Sequence, residues 1–217
     1  MFPGTFDPMR TVYVVQHPES RHHLDGVVGG WFDSPLTEAG IQAAQSIARA
    51  LREQIPENVA PDVFSSDLRR CTQVADAISE SFAVPPILDQ RLREKSYGEA
   101  EGKPQSWLRE RFIPPPATGD RLRHNEGITG AETMHTFGER VYAAMHSILH
   151  RDSAHQIIVT HGGAITFLLA AWANLPLDSL AYARFQATPG SITELHEDPF
   201  FHNRQIRTLG STTHLPR

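Results

Sequence analysis

Three short β-prone runs, Thr11-Val12-Tyr13-Val14-Val15, Asp62-Val63-Phe64-Ser65 and Gln156 to Thr160, alternate with stretches of helical periodicity. That alternation leaves few folds open. The first run is β-branched and aromatic, too short for a helix, and its apolar continuity predicts burial on both faces. From Thr37, which reads as an N-cap, Ile41, Ala44, Ile47, Ala48, Leu51 and Ile55 recur at helical spacing until Pro56 and Pro61 end the pattern. A second helix is expected from about Leu68 to Phe82, before Pro85-Pro86. A third carries Met134, Phe137, Val141, Ile148 and Leu149 on one face, and a fourth follows His161 to about Asn174. Parallel strands need crossovers, and crossover helices cover both faces of a sheet. The expected fold is therefore a three-layer α/β/α sandwich with a mostly parallel central sheet. Tyr182 to Ala187 and Ser191 to His196, straddling Pro189-Gly190, read as a hairpin, with Arg204 to Leu209 as a last strand.

Between about Ser96 and Gly130 the periodicity fails. This stretch holds Pro104, the run Pro114-Pro115-Pro116 and several glycines, with a short helix around Gln105 to Phe112, and it reads as an inserted cap. The 217 residues suit one domain, expected over residues 11–210 with the cap at about 96–130 and tails at 1–10 and 211–217. Pro3-Gly4-Thr5-Phe6-Asp7-Pro8 looks like a nucleotidyltransferase phosphate loop, but no strand precedes it and no His-x-Gly-His follows, so it reads as tail.

The net charge is -5 with the basic residues scattered, which argues against nucleic acid as a partner. The single cysteine, Cys71, cannot form an internal disulfide and reads as a packing residue. Residues 1–10 lack the pattern of a signal peptide, and no run approaches the ~18 apolar residues of a membrane span. The expectation is a cytoplasmic protein with no membrane partner, in which exposed strands or the Pro-rich cap are the places for a homodimer contact. Of the twelve histidines, His22, His124, His135, His146, His150, His155, His196, His202 and His214 sit in polar or terminal stretches and read as solvent-exposed.

In open α/β sheets ligands bind beyond the carboxyl ends of the strands. His17, Arg70 and His161 each fall just past one of the three predicted strands. Two histidines, an arginine and a carboxylate at a sheet edge suit phosphoryl transfer through a covalent intermediate. A neutral imidazole attacks phosphorus and gives a phosphoramidate that water cleaves. Arg70 and a protonated His161 would stabilise the charge on the equatorial oxygens, and Glu94 would serve as acid and then base. Such chemistry needs no metal and no cofactor. A metal cluster of His17, His22 and His23 with His161 or Asp25 is the competing reading, though no helical His-Glu-x-x-His pair supports it.

These residues also carry a resemblance to the histidine phosphatase superfamily. Gln16-His17-Pro18-Glu19-Ser20 is similar to its opening Arg-His-Gly-Glu-Thr/Ser motif, and the block Gly30 to Gly40 closely follows the next one. Ser65 to Ala75 looks like the Ser-Ser-Pro-Leu-x-Arg block and places its arginine at Arg70. Leu92-Arg93-Glu94 to Gly102 resembles the block whose glutamate is the proton donor, here Glu94. Gly130-Ala131-Glu132-Thr133 is similar to the Gly-Glu-Ser element, and Val159-Thr160-His161-Gly162-Gly163 holds the second histidine. The resemblance implies a phosphoglycerate mutase-like fold, His17 as the phosphorylated nucleophile, and a phosphate site built from Gln16, His23, Arg70, His161 and Gly162. Gln16 stands where the family has arginine, Pro18 where it has glycine, and His23 where relatives often carry asparagine.

Glu94 and Glu132 lie 38 positions apart, which resembles the short cap of the phosphatases and not the longer insertion of the mutases. The expected activity is metal-independent hydrolysis of a small phosphorylated metabolite. Lys95, Lys103, Arg109, Arg111, Arg121 and Arg123 are candidates to hold a second anionic group, and Trp107, Arg109 and Phe112 to line the cap. The alternatives are an impaired relative that binds a phosphorylated ligand or a protein partner, motivated by Gln16 and Pro18, and a phosphoglycerate-type mutase.

Overall fold

The computed structural model describes residues 10–216. Residues 1–9 and 217 lie outside it, and with them the Pro3 to Pro8 segment and nearly all of the expected N-terminal tail; Arg10 itself opens the first strand. The elements in chain order are β1 (Arg10–Gln16), α1 (Arg21–Leu24), α2 (Glu38–Gln54), β2 (Asp62–Ser65), α3 (Arg69–Phe82), β3 (Ile87–Leu88), α4 (Gln105–Arg111), α5 (Met134–Leu149), β4 (His155–Thr160), α6 (Gly162–Trp172), β5 (Ile192–Glu197) and β6 (Arg204–Ser211). The strands form one sheet in the order β3-β2-β4-β1-β5-β6. Four of them are parallel, while β5 runs antiparallel to β1 and β6 antiparallel to β5.

The pleat explains why the central strands are apolar throughout. Val12, Val14 and Ile158 point to one face, under α5 and α6, and pack with Phe137, Phe167 and Trp172. Tyr13, Val15, Ile157 and Val159 point to the other face, against Ile47, Leu51, Val74 and Ile78 of α2 and α3. Both faces are covered, so neither can be polar. Thr37 caps α2 through the Gly40 N–H at 3.0 Å and also donates to Glu19 Oε1 at 2.7 Å, which ties the helix start to the loop after β1. Helix α6 is apolar all round because it is buried all round. Among the described residues no helix is long and apolar enough to cross a membrane.

The expected hairpin between 182–187 and 191–196 does not form. β5 already has β1 on one side and β6 on the other, so no edge is left for a third partner. Residues 182–187 are irregular instead, and Thr166 of α6 satisfies both backbone groups of Phe185. The stretch expected as a cap packs Ala100 and Ile128 against Val28 of the loop after α1, with Trp107 and Leu108 of α4 beside them. Of the expected C-terminal tail, Ser211 ends β6, and His214 folds back to bond the Gly190 carbonyl through Nε2 at 3.0 Å.

Candidate active site

The sheet order brings the three sequence-predicted strand ends together. β2, β4 and β1 are neighbours and parallel, so Ser66, His161 and His17 all emerge at the same edge. Gln16 stands in register with Thr160, and the His17 N–H bonds the Thr160 carbonyl at 3.0 Å. The two histidine rings consequently meet edge to face, 5.0 Å between centroids at 70°.

His17 is buried, and its Nδ1 lies 2.8 Å from the Pro18 carbonyl oxygen. A carbonyl only accepts, so Nδ1 carries the proton and Nε2 presents a lone pair. Burial pulls the His17 pKa well below the ordinary 6.5, and the Arg70 charge lowers it further. The imidazole is therefore neutral at pH 7, the form in which a ring nitrogen can act as a nucleophile. His161 is fully buried with Nε2 2.8 Å from Ser66 Oγ and 3.4 Å from Cys71 Sγ. Burial and then Arg70 hold its pKa well below 6.5 as well. The protonated His161 expected from the chemistry is thus not the state of the free site; an arriving dianion would oppose both effects. Cys71 is packed, as read from the sequence, and burial pushes its thiol up to about 12.

Arg70 is the most constrained side chain of the site. It is 1% exposed and donates from Nη1 to the Phe32 carbonyl at 2.9 Å and from Nη2 to the Gly30 carbonyl at 2.6 Å. Its Nε–H is buried without a partner, and Glu94, Asp33 and Glu101 act on the guanidinium through space without forming an ion pair to it among the described residues. Gly30 makes the enclosing loop possible: at φ +55°, a Cβ there would press to 3.0 Å on the Lys95 carbonyl and the Tyr97 ring.

Glu94 hangs on the start of α6, with Oε2 accepting the Gly163 N–H at 2.9 Å and Oε1 accepting the Lys95 N–H at 2.9 Å. Its backbone carbonyl accepts from Trp31 Nε1 at 2.8 Å and from Arg140 Nη2 at 2.6 Å. Arg140 also bonds the Arg91 and Arg93 carbonyls and pairs in a bidentate fork with Glu132 at 2.7 Å. Arg93 makes a second such fork to Asp67, 2.6 Å on each arm, joining the Arg70 segment to the Glu94 segment. Sequence reading missed Arg140, Trp31 and Ser66 as positioning groups. Ser66 and Trp31 lie inside blocks that carry the family resemblance but were given no role there, whereas Arg140 sits mid-helix with no local signal.

The remaining predicted phosphate ligands divide. Gly162 opens α6 directly after His161, and the next N–H, that of Gly163, is taken by Glu94. Gln16 is buried with its amide against Gly162, and its Oε1 has no partner; half a turn of the amide presents Nε2 in its place. His23 is exposed and lies parallel to His17, 5.9 Å between centroids, with Nδ1 accepting the Ser20 N–H. Of the histidines read as exposed, His124, His135, His155 and His214 are half-buried and two are fully buried. His196 is buried in β5, and His22 is buried between Ser20 Oγ at 2.9 Å and Ser34 Oγ at 2.7 Å, its pKa lowered to about 3 chiefly by desolvation. Among the described residues no group of three or more His, Cys, Asp or Glu is gathered as a metal ion requires.

Most of the cap cations are engaged. Lys95 pairs with Glu126, Arg111 with Glu110, Arg123 with Asp120 and Asp178, and Lys103 lies over Trp107. Trp107, expected to line the site, packs between Lys103 and Arg111 in the cap's own core.

A family model described as the histidine phosphatase superfamily (branch 1) matches residues 12–205. A curated relative named "Probable phosphoglycerate mutase GpmB", from Yersinia pestis, is 31% identical over 95% of both chains. Among solved structures, Bacillus stearothermophilus YhfR superposes with a TM-score of 0.77 at 26% identity, covering 95% of this chain and all of that one. The alpha-ribazole phosphatase of Shigella flexneri has the same fold, with a TM-score of 0.73 at 22% identity over 93% and 96% of the two chains.

Proposed function

The chain belongs to the histidine phosphatase superfamily, and from that premise we propose that it is a phosphomonoester hydrolase working through a phosphohistidine at His17. The observation that carries this reading is Arg70. A buried guanidinium with an orphaned Nε–H and no carboxylate partner is costly in an empty pocket, and an anion removes the cost. A phosphate dianion supplies that anion beside the His17 lone pair.

In this reading His17 Nε2 attacks phosphorus as the bond to the leaving oxygen breaks, and Glu94 gives that oxygen its proton. Glu94 then takes a proton from water as water attacks the phosphohistidine; the N–P bond breaks and inorganic phosphate leaves. Arg70, His161 and the start of α6 stabilise the equatorial oxygens at both steps. Gln16 contributes an amide where a cation would serve better, so the enzyme retains its reaction at reduced rate. Losing one charge-assisted contact is worth roughly 1.5–3 kcal/mol, about tenfold to a few hundredfold in rate.

The 31% identical relative named as a mutase favours a second reading, transfer of phosphate within a phosphoglycerate. The short span from Glu94 to Glu132 supports hydrolysis instead. Wild type and His17→Ala, assayed on a panel of phosphoesters without added metal, separate the readings. Release of free phosphate by wild type alone, with an acid-labile phosphoenzyme, is the expected result. Isomerised phosphoglycerate without free phosphate identifies a mutase, and no turnover of any ester overturns both in favour of a ligand-binding protein.

A further inference from the structure

Between the cap stretch and residues 180–184 lies an open cavity of about 340 Å³ that shares a wall with the Glu94 segment. Its inner edge is formed by Lys95 and Tyr97, just beyond Glu94, and the Tyr97 ring abuts Gly30, whose carbonyl holds Arg70. A proton donor stands on the leaving-group side of the phosphorus, so the leaving group lies toward this space. Phe112, Leu122, Met134 and Leu180 supply apolar sides.

The charges around the cavity do not balance. Lys95 is neutralised by Glu126 at 2.6 Å. Arg121 spends its guanidinium on the carbonyls of Pro116, Ala117 and Ala181, and none of these is anionic. Arg184 stands exposed at the rim and makes no hydrogen bond or ion pair with any described residue. The cavity therefore has two positive charges that no carboxylate offsets, one of them with all its donors free. Burial holds the Tyr97 hydroxyl in its protonated form, so it too can donate.

We propose that Arg184 is a specificity residue, holding a second anionic group at the far end of an apolar leaving group, with Arg121 adding to the field. The inference rests on the phosphatase reading only for placing the reacting phosphate at His17. Arg184 lies outside every motif block, and the cap cations singled out by sequence are mostly engaged with neighbours, so only the assembled cavity reveals it.

Two esters that differ by one para-carboxylate test this, 4-carboxyphenyl phosphate and phenyl phosphate. For an exposed guanidinium the expected preference of wild type for the carboxylated ester is roughly tenfold in kcat/KM, carried by KM. Arg184→Gln brings the two esters to within about twofold, and Arg184→Lys keeps part of the preference. Calorimetric binding of both esters to His17→Ala, with and without Arg184→Gln, reads the same subsite without turnover. Equal values for the two esters, or a preference that survives Arg184→Gln, overturns the proposal. If neither ester releases phosphate while His17→Ala still binds the carboxylated one more tightly through Arg184, the phosphatase reading fails and the subsite stands.

Discussion

The carboxylate of Glu94 accepts the backbone N–H of Gly163 at 2.9 Å, which moors the proposed acid to the first turn of α6, the helix capped by His161. A side chain at residue 163 is incompatible with this contact, because its Cβ would fall inside van der Waals distance of Glu94 Oε1 and reach 3.2 Å from the Phe137 ring. Gly163→Ala is expected to lower kcat by roughly a hundredfold, the typical cost of a misplaced catalytic group. Thermal unfolding should show the variant folded, since alanine is the better helix former. An unchanged kcat would show that Glu94 does not act from this position.

Glu94→Gln keeps the shape and removes the proton. Loss of a general acid typically costs 10²–10⁴-fold, and the loss should shrink for esters with good leaving groups such as p-nitrophenyl phosphate. A rate defect independent of leaving-group pKa would assign the acid role elsewhere.

Gln16→Arg restores a cation where the chain carries an amide. If Gln16 faces the phosphate, kcat/KM should rise about tenfold or more, with inhibition by vanadate strengthened in parallel. Because Gln16 is buried against Gly162, a fall in thermal stability without any kinetic gain would mean that the site has no room for the longer side chain.

Acid should destabilise the fold through its buried histidines. His17, His22 and His161 all have native pKa values below the ordinary 6.5, the His22 value near 3. The unfolded chain therefore binds more protons below pH 6.5, and stability falls as pH drops from 6.5 toward each native value. The loss is about 1.4 kcal/mol per pH unit for each histidine. Denaturant titrations at pH 7 and pH 5 measure it, and His22→Asn should flatten the slope by about one proton's worth. Phosphate in the buffer should also flatten it, by favouring the charged form of His161.

The buried pair Lys95 to Glu126 fastens the cap to the Glu94 segment, with side chains only 4% and 10% exposed. Lys95→Met alone leaves Glu126 buried and uncompensated, an expected loss of about 3–5 kcal/mol. The double variant Lys95→Met/Glu126→Leu should recover most of it, and the coupling energy from unfolding curves checks this.

The strands other than the two-residue β3, the two flanking helix layers and the positions of His17, Arg70, Glu94 and His161 were legible in the sequence, because each depends on local periodicity or on a contiguous block. Where local signals competed, reading failed. Residues 182–187 have strand composition, yet β1 and β6 occupy both sides of β5, their expected partner. His22 and His196 sit in polar stretches, yet packing buries both.

The sequence by itself determined which residues lie at strand ends, since burial on both faces of a parallel sheet demands apolar runs, and those runs stop just before His17 and His161. Only the tertiary structure decided how the residues act on one another. The neutral state of His17 and His161 follows from burial beside Arg70, the anchoring of Glu94 from Gly163 and Arg140, and the unbalanced charge at Arg184 from which cap cations found partners. These are properties of distance and desolvation between segments far apart in the chain, and no local pattern encodes them.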